Sequence, residues 1–129
     1  SVSKIELWTA TEEEGTHLRL EGGEIVVKEK AALRRGTDFT VSQLFYNTPA
    51  RLKHMKSIQT ELSHCIDLTN RLAFAHPAVA FHLTHNGKTI VRTPGTGDVL
   101  RVIAAVYGHE VAGKMIPFRE ETFDFTITG

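Results

Sequence analysis

The feature that most constrains the fold is a change of sequence period within residues 36–56. Polar and apolar residues alternate at its start, with Thr37, Phe39 and Val41 on the more apolar side, and this pattern predicts a strand with one apolar face. The alternation then stops, and Asn-Thr before Pro49 is typical of the first turn of a helix, where a side-chain oxygen accepts from a free backbone N–H. The stretch is therefore predicted to connect a strand to a helix.

Three cations follow the predicted start of this helix. They are Arg51, Lys53 and Lys56, and residues 51–56 contain no Asp or Glu. Free N–H groups at a helix N-terminus favour anions, so the cations mark a candidate phosphate site. Two alternatives stay open: Arg51 could hold the loop through hydrogen bonds, and the lysines could be merely solvated. Phe45 and Tyr46 could stack on bases, although anchoring a core or a domain seam is the more frequent use of such aromatics.

The same stretch resembles the signature of a known family. From Gly36 onward it reads G-T-x-x-x-V-x-x-L-F-Y-N-T-P-A-R-x-K. This run is similar to the segment that joins the ATPase domain to a second domain in the MutL family of DNA mismatch repair proteins. So many specified residues at fixed spacing are hard to obtain by chance. One departure is His54-Met55, where the family has an aromatic and an aliphatic residue, and this is a variation in packing.

The resemblance implies an α+β fold in three parts. Residues 1–56 would form the C-terminal strands and signature loop of a GHKL-type ATPase domain, an ATP-binding fold shared with gyrase and histidine kinases. Residues 57–76 would form a connecting helix. Residues 77–129 would form the first part of an α/β sandwich that resembles ribosomal protein S5 domain 2.

The resemblance also implies roles for individual residues. In the family, the threonine of the Gly-Thr pair reaches the adenine pocket, partly through water, and this nucleotide-binding role would fall on Gly36 and Thr37. A threonine hydroxyl both donates and accepts hydrogen bonds, which suits a contact with a purine edge. The alternative is a threonine that only fills the sheet. Phe45, Asn47 and Pro49 would belong to a transducer loop.

The family's residues of catalysis are missing from this sequence. It lacks the catalytic glutamate, the magnesium-binding asparagine, the adenine-reading Asp-x-Gly and the glycine-rich lid, and it has no G-x-x-x-x-G-K-[ST] loop. We therefore expect ATP and Mg²⁺ to be cofactors of a longer parent protein, a slow ATPase. This chain alone should have no catalytic residue and no cofactor, and should not hydrolyse ATP.

The implied function is mediation of DNA mismatch repair. In the family, ATP binding dimerises the N-terminal regions, and the closed homodimer holds DNA and couples a MutS-type mismatch recognition protein to a downstream endonuclease and helicase. Arg51, Lys53 and Lys56 would then contact DNA. Two alternatives remain: a topoisomerase-type GHKL ATPase fragment, whose junction lacks the Leu-Phe-Tyr-Asn-Thr-Pro-Ala-Arg run, and a free-standing S5-like nucleic-acid-binding module.

Composition limits other classes of function. The 15 Lys and Arg residues balance 15 Asp and Glu residues, which argues against a dedicated nucleic-acid binder, although a local patch can still contact phosphates. The single cysteine, Cys65, excludes an internal disulfide and a cysteine-based zinc site. The histidines lack the spacing of a metal site. No apolar run approaches the roughly 20 residues that span a bilayer. The sequence shows no secretory leader or lipidation signal, so we expect the cytoplasm as the default location.

Apolar spacing predicts the remaining elements. We expect helices from about residue 49, at 57–75 and at 98–108, and strands at 4–11, 16–20, 24–29, 37–44, 79–84, 89–92, 114–119 and 122–128. Asn86-Gly87 should form a hairpin turn, and Cys65 should be an inert core thiol. Ile25 and Val27 should share the apolar face of the first sheet. No local helix covers that face, and we therefore expect the natural protein to extend upstream of Ser1.

Overall fold

The computed structural model describes residues 1–32 and 35–129, which divide into two units, Ser1–Lys56 and Ser57–Gly129. Among these residues, the first unit has a four-stranded antiparallel sheet and a short helix, and the second has three helices and two antiparallel strand pairs. The prediction of an α+β fold is confirmed. The assignment of residues 1–56, 57–76 and 77–129 to three functional parts stays a prediction.

The elements follow one another in an order close to that expected from the sequence. They are β1 (Lys4–Ala10), β2 (Gly15–Glu21), β3 (Glu24–Ala31), β4 (Gly36–Ser42), α1 (Pro49–Lys53), α2 (Ile58–Ala75), β5 (His82–His85), β6 (Lys88–Arg92), α3 (Val99–Tyr107), α4 (His109–Ala112), β7 (Arg119–Glu121) and β8 (Thr126–Thr128). Among residues 1–32 and 35–129, no helix is long and apolar enough to cross a membrane.

Three predicted strands are shorter in the structure, and tight turns account for two of these differences. Val79 N donates to His76 O at 2.9 Å, which closes a turn where the fifth strand was expected to begin. Thr122 N donates to Phe125 O at 2.8 Å, which removes the start of the last strand. The strand predicted at residues 114–119 contributes only its end, since β7 begins at Arg119.

The register of the first sheet sorts its side chains onto two faces. The strands are ordered β3-β2-β1-β4. Residues directly opposite each other share a face, so Leu7, between Leu18 and Phe39, forms an apolar row. The next row has the same character and contains Leu20, Ile5 and Val41. Phe39 is 57% exposed, so the residues that the structure describes leave much of this apolar face open.

A β-bulge overturns one prediction about this sheet. The register of β2 with β3 shifts between Arg19 and Leu20, so that Leu20 lies opposite Ile25 and Arg19 lies opposite Val27. A bulge adds one residue to one strand, here Val26, and changes which side chains share a face. The expectation that Ile25 and Val27 lie on the same face is therefore wrong.

The polar face carries a histidine held between two carboxylates, which we call the His17 clamp. His17 Nδ1 lies 2.8 Å from Glu29 Oε1, and its Nε2 lies 3.0 Å from Glu6 Oε1. The Trp8 ring stacks on the imidazole at a centroid distance of 3.6 Å. Both ring nitrogens can donate together only when the imidazole is protonated. The hydrogen bond to Glu29 above all, and that to Glu6, raise the pKa of His17 above its ordinary value, although burial opposes them.

The core of the second unit lies where α2, α3 and β6 pack together. Each element contributes one buried aliphatic side chain: Ala73 from α2, Val102 from α3 and Val91 from β6. Ser57 caps α2, since its hydroxyl accepts a hydrogen bond from Thr60 N at 3.3 Å. The long predicted helix α2 therefore begins where the sequence predicts, and it packs against α3 and β6 through the side that carries Ala73.

Cys65 is exposed, so the prediction that it is a core thiol is wrong. The less exposed residues of α2 run along Leu62, Ile66 and Ala73. An α-helix turns by about 100° per residue, so Cys65 is rotated away from this stripe by its one-residue offset from Ile66. Apolar spacing alone does not separate Cys65 from the neighbouring residues that form the less exposed side of α2.

Local turn and cap signals are confirmed. Asn86 and Gly87 both have positive φ, 49° and 75°, as a type I′ hairpin turn requires. Asp98 Oδ1 accepts from Leu100 N at 2.9 Å and caps α3. Gly108 ends α3 with a φ of 93°, a value that favours glycine. Asn86 and Gly87 thus form the turn of the β5–β6 hairpin, and Asp98 and Gly108 fix the two ends of α3.

Removal of the α3 cap should destabilise the second unit. Asp98→Ala leaves Leu100 N without its side-chain acceptor and should lower the free energy of unfolding by about 1 kcal/mol. Asp98→Asn keeps an acceptor oxygen and should cost much less. Urea unfolding followed by circular dichroism measures both changes. An equal loss in the two variants would contradict the capping role.

The His17 clamp should make stability depend on pH. Its pKa is raised in the folded state, so its stabilisation is fully present below the unfolded pKa of about 6.5 and is lost as the pH rises through the folded pKa. The urea midpoint should therefore fall between about pH 6 and about pH 8. In His17→Gln, which cannot be protonated, the fall should be smaller. The same fall in both proteins would rule out the clamp as its cause.

Candidate functional site

A row of hydroxyls borders the apolar face of the first sheet. Thr9 lies opposite Thr16 on one side and Thr37 on the other, and we call these three the threonine row. Thr9 Oγ1 and Thr37 Oγ1 are 3.0 Å apart and share one hydrogen bond. A hydroxyl in one hydrogen bond can still make another. The row thus gives a polar edge to an open apolar surface, an arrangement that suits a flat aromatic ligand with polar atoms at its rim.

Gly36 starts β4 opposite Ala10, next to the threonine row. Its φ is 140°, in the region that side-chain-bearing residues rarely adopt. A Cβ built on Gly36 would meet no atom within 4 Å. The glycine is therefore required by the backbone conformation and not by lack of space.

Two open pockets lie beside Gly36 and Thr37, and both contain acids. One, of about 260 Å³, is lined by Thr9, Ala10, Thr11, Glu14 and Thr16. The other, of about 500 Å³, is lined by Ala10, Thr11, Glu12, Glu13 and Arg35. Its cation is already engaged, because Arg35 Nη1 lies 3.2 Å from Glu12 Oε1. A third pocket, of about 270 Å³ on the far side of Thr16, holds Lys28 and Lys30 together with Glu14 and Glu29. The charge beside Gly36 and Thr37 therefore suits an uncharged polar edge better than a phosphate.

The signature loop between β4 and α1 is held in an unusual backbone conformation. Gln43 and Phe45 have positive φ, 50° and 63°, without being glycine. Such residues cost free energy and persist where neighbouring contacts hold them. Here Phe45 N donates to Val2 O at 2.6 Å, and Asn47 Nδ2 donates to Ser1 O at 2.9 Å. The loop is thus fastened to the residues that precede β1.

The start of α1 differs from the predicted cap. Pro49 occupies the first turn as expected, but the side chain of Thr48 makes no capping hydrogen bond. Thr48 Oγ1 is buried and has no hydrogen-bond partner within the described residues, while the Asn47 amide bonds instead to the chain start. Neither side chain therefore serves as the helix cap.

The three candidate phosphate contacts are exposed, but not at a helix N-terminus. α1 has 5 residues, and Arg51 and Lys53 lie in its last turn, where the helix dipole favours cations. Lys56 follows the helix. The argument that these cations reinforce an anion site at the N-terminus is therefore wrong, because so short a helix has little dipole to reinforce. Their contact with DNA stays a prediction.

The structure separates the candidate residues into two groups. Gly36 and Thr37 lie at one end of β4, while Phe45, Asn47 and Pro49 lie beyond the other end. A seven-residue strand spans about 20 Å, so the two groups do not form one pocket. Within the described residues, no group of three or more His, Cys, Asp or Glu side chains could hold a metal ion.

Comparison with known proteins identifies the family. No family model matches the chain. Over its full length, however, the chain is 58% identical to the DNA mismatch repair protein MutL of Geobacillus thermodenitrificans and to that of Geobacillus kaustophilus, and 54% identical to that of Halalkalibacterium halodurans. The chain belongs to the MutL family. It spans about a fifth of the length of these MutL relatives, 20%, 21% and 20% respectively.

Solved MutL structures share the fold. The Aquifex aeolicus MutL ATPase domain complexed with ADP matches 92% of this chain with a TM-score of 0.78 and 25% identity, and the match covers 47% of that domain. The ATPase domain of the mismatch repair endonuclease Aquifex aeolicus MutL matches 94% of this chain with a TM-score of 0.76 and 26% identity, over 46% of its own length. The resemblance found in the signature is therefore confirmed.

Substitution of Gly36 should destabilise the sheet through the backbone alone. Gly36→Ala places a Cβ at a φ of 140° and should lower the free energy of unfolding by about 1 kcal/mol or more. Ser42→Ala, at the other end of the same strand, is the matched control and should change it little. Urea unfolding compares the two variants. An unchanged midpoint for Gly36→Ala would show that the backbone there tolerates a side chain.

Proposed function

We propose that this chain is the part of a MutL-type DNA mismatch repair protein that relays nucleotide binding to DNA. The observation that carries the proposal is the full-length identity to proteins named DNA mismatch repair protein MutL. These relatives are about five times longer than the chain, which favours a relay within a larger protein over a free-standing nucleic-acid-binding module. Their name also favours MutL over a topoisomerase-type ATPase.

Nucleotide binding in this proposal uses the end of the sheet at Gly36 and Thr37. The ADP in the similar Aquifex aeolicus domain supports a nucleotide in the parent of this chain. The threonine row can offer a hydroxyl to a purine edge, and the open apolar face beside it can receive the ring. Phosphate ligands would have to come from outside the chain, because the pockets beside Gly36 and Thr37 carry acids. The Mg²⁺ ligand would also lie outside it, since the magnesium-binding asparagine of the family is missing from this sequence. The chain supplies no catalytic residue.

The relay would run along β4 to the signature loop. Phe45 is held at positive φ by a hydrogen bond to Val2 O, and Asn47 is tied to Ser1. A strained loop that is held by few hydrogen bonds can adopt a second conformation when one of them breaks. We therefore assign the transducer role to Phe45, Asn47 and Pro49. Arg51, Lys53 and Lys56, which follow directly, would contact DNA phosphates.

The partners in this proposal are those implied by the family. The parent would bind ATP with Mg²⁺, form a homodimer when ATP is bound, and couple a MutS-type mismatch recognition protein to a downstream endonuclease and helicase. Its location would be the cytoplasm, where bacterial DNA lies, since the named relatives are bacterial proteins.

The test is ATP hydrolysis by this chain extended upstream along its own gene. The extended protein should hydrolyse ATP slowly, and the 129-residue chain should not. Thr37→Ala removes one hydroxyl contact worth about 0.5–1.5 kcal/mol and should weaken ATP binding by about twofold to twelvefold. Titration of bound nucleotide measures this change directly.

Two matched variants separate the hydroxyl from the fold. Thr37→Ser keeps the hydroxyl and should bind ATP nearly as well as the wild type. Thr40→Ala changes the same strand on its opposite face, across from Glu6, and should have no effect on binding. If the extended protein neither binds nor hydrolyses ATP, the proposed function is wrong. If Thr37→Ala binds as the wild type does, Thr37 is not a nucleotide contact.

A further inference from the structure

The longest interval of the sequence without an acidic residue lies in the second unit. It extends from Asp67 to Asp98 and contains Arg71, Lys88 and Arg92. The zero net charge of the chain conceals this interval, because the acids of the second unit are concentrated on either side of it. The β5–β6 hairpin lies within it, so this hairpin has no carboxylate of its own.

Lys88 and Arg92 differ from the other cations of the second unit. Both are exposed, and within the described residues neither forms an ion pair. The remaining cations of the unit each lie close to a carboxylate: Arg71 to Asp67, Arg101 to Asp98, Lys114 to Glu110 and Arg119 to Glu121. The positive potential of the hairpin is therefore not neutralised locally, and it can attract an anion from solution.

The register shows which hairpin side chains face away from the core. Leu83 lies opposite Val91, which is 7% exposed, so this pair points inward. His82 lies opposite Arg92 and therefore points outward. His82 Nε2 lies 2.9 Å from Thr89 Oγ1, which places Thr89 on the same outer face. The outer face thus combines a guanidinium, an imidazole and a hydroxyl. Lys88 lies opposite His85, on the other face by alternation, but it adjoins the turn at the tip of the hairpin and is exposed.

These groups are the ones that contact the backbone of nucleic acids. Arg, Lys and Thr side chains account for many hydrogen bonds to phosphate oxygens, and such contacts carry no sequence information. The hairpin, residues 82–92, contains no Phe, Tyr or Trp on which an unpaired base could stack. Its two imidazoles are already hydrogen-bonded within the hairpin, His82 to Thr89 and His85 to Asn86. A double-stranded backbone therefore fits this surface better than a single strand does.

We propose that the β5–β6 hairpin is a DNA contact that binds the duplex backbone through Lys88 and Arg92. The inference deepens the proposed function, on which it rests, by adding a second contact separate from Arg51, Lys53 and Lys56. It requires no base recognition. The hairpin would add affinity for any duplex, in proportion to the phosphates it neutralises.

The test measures binding of the 129-residue chain to a short fluorescent DNA duplex between about 50 and 200 mM salt. The double variant Lys88→Ala, Arg92→Ala should weaken binding by roughly tenfold at low salt and reduce the slope of log affinity against log salt by about 2. The control, Lys114→Ala with Arg119→Ala, removes the same formal charge from ion-paired positions and should change affinity less than about twofold.

A charge-conserving variant separates the effect of lost charge from that of lost folding. Lys88→Arg with Arg92→Lys should keep the wild-type affinity and salt slope, and circular dichroism should be the same for every protein. Equal losses in the hairpin variant and its control would overturn the inference. So would a wild-type chain that binds no duplex at low salt. Either result would leave the nucleotide test of the extended protein unaffected, so failure of the hairpin and failure of the proposed function can be told apart.

Discussion

The pairing of β1 along both of its edges is the interaction on which the first unit depends. β1 lies between β2 and β4, so one strand sets the register of both neighbours. Side chains alternate between faces, and a slip by one residue would move Leu7 to the polar face and Trp8 to the apolar face. The apolar rows, the threonine row and the contact of Glu6 with His17 therefore all follow from the alignment of β1, while Glu29 is placed by the pairing of β2 with β3.

Features that depend on a few neighbouring residues could be predicted from the sequence. The Asn86-Gly87 turn and the Asp98 cap are of this kind, because their backbone angles and hydrogen bonds involve residues within two or three positions. The signature after Gly36 was sufficient to identify the family, since its length makes chance agreement improbable. The α+β fold was implied by this resemblance.

Features that depend on residues far apart in the chain could not be predicted. The His17 clamp joins three strands, and its members look like ordinary surface residues until the register is known. The threonine row has the same origin. The bulge beside Leu20 reverses the face of Val27 without any signal such as glycine or proline. Cys65 was misplaced because the stripe of α2 depends on what packs against the helix.

The stacking of Trp8 on His17 has a practical consequence. Trp8 is the only tryptophan of the sequence, and it lies in the first unit. Its emission therefore reports on the first sheet alone, whereas far-ultraviolet signals include the helices of the second unit. A difference between the two signals would show that the units lose their structure separately, with no label attached to either.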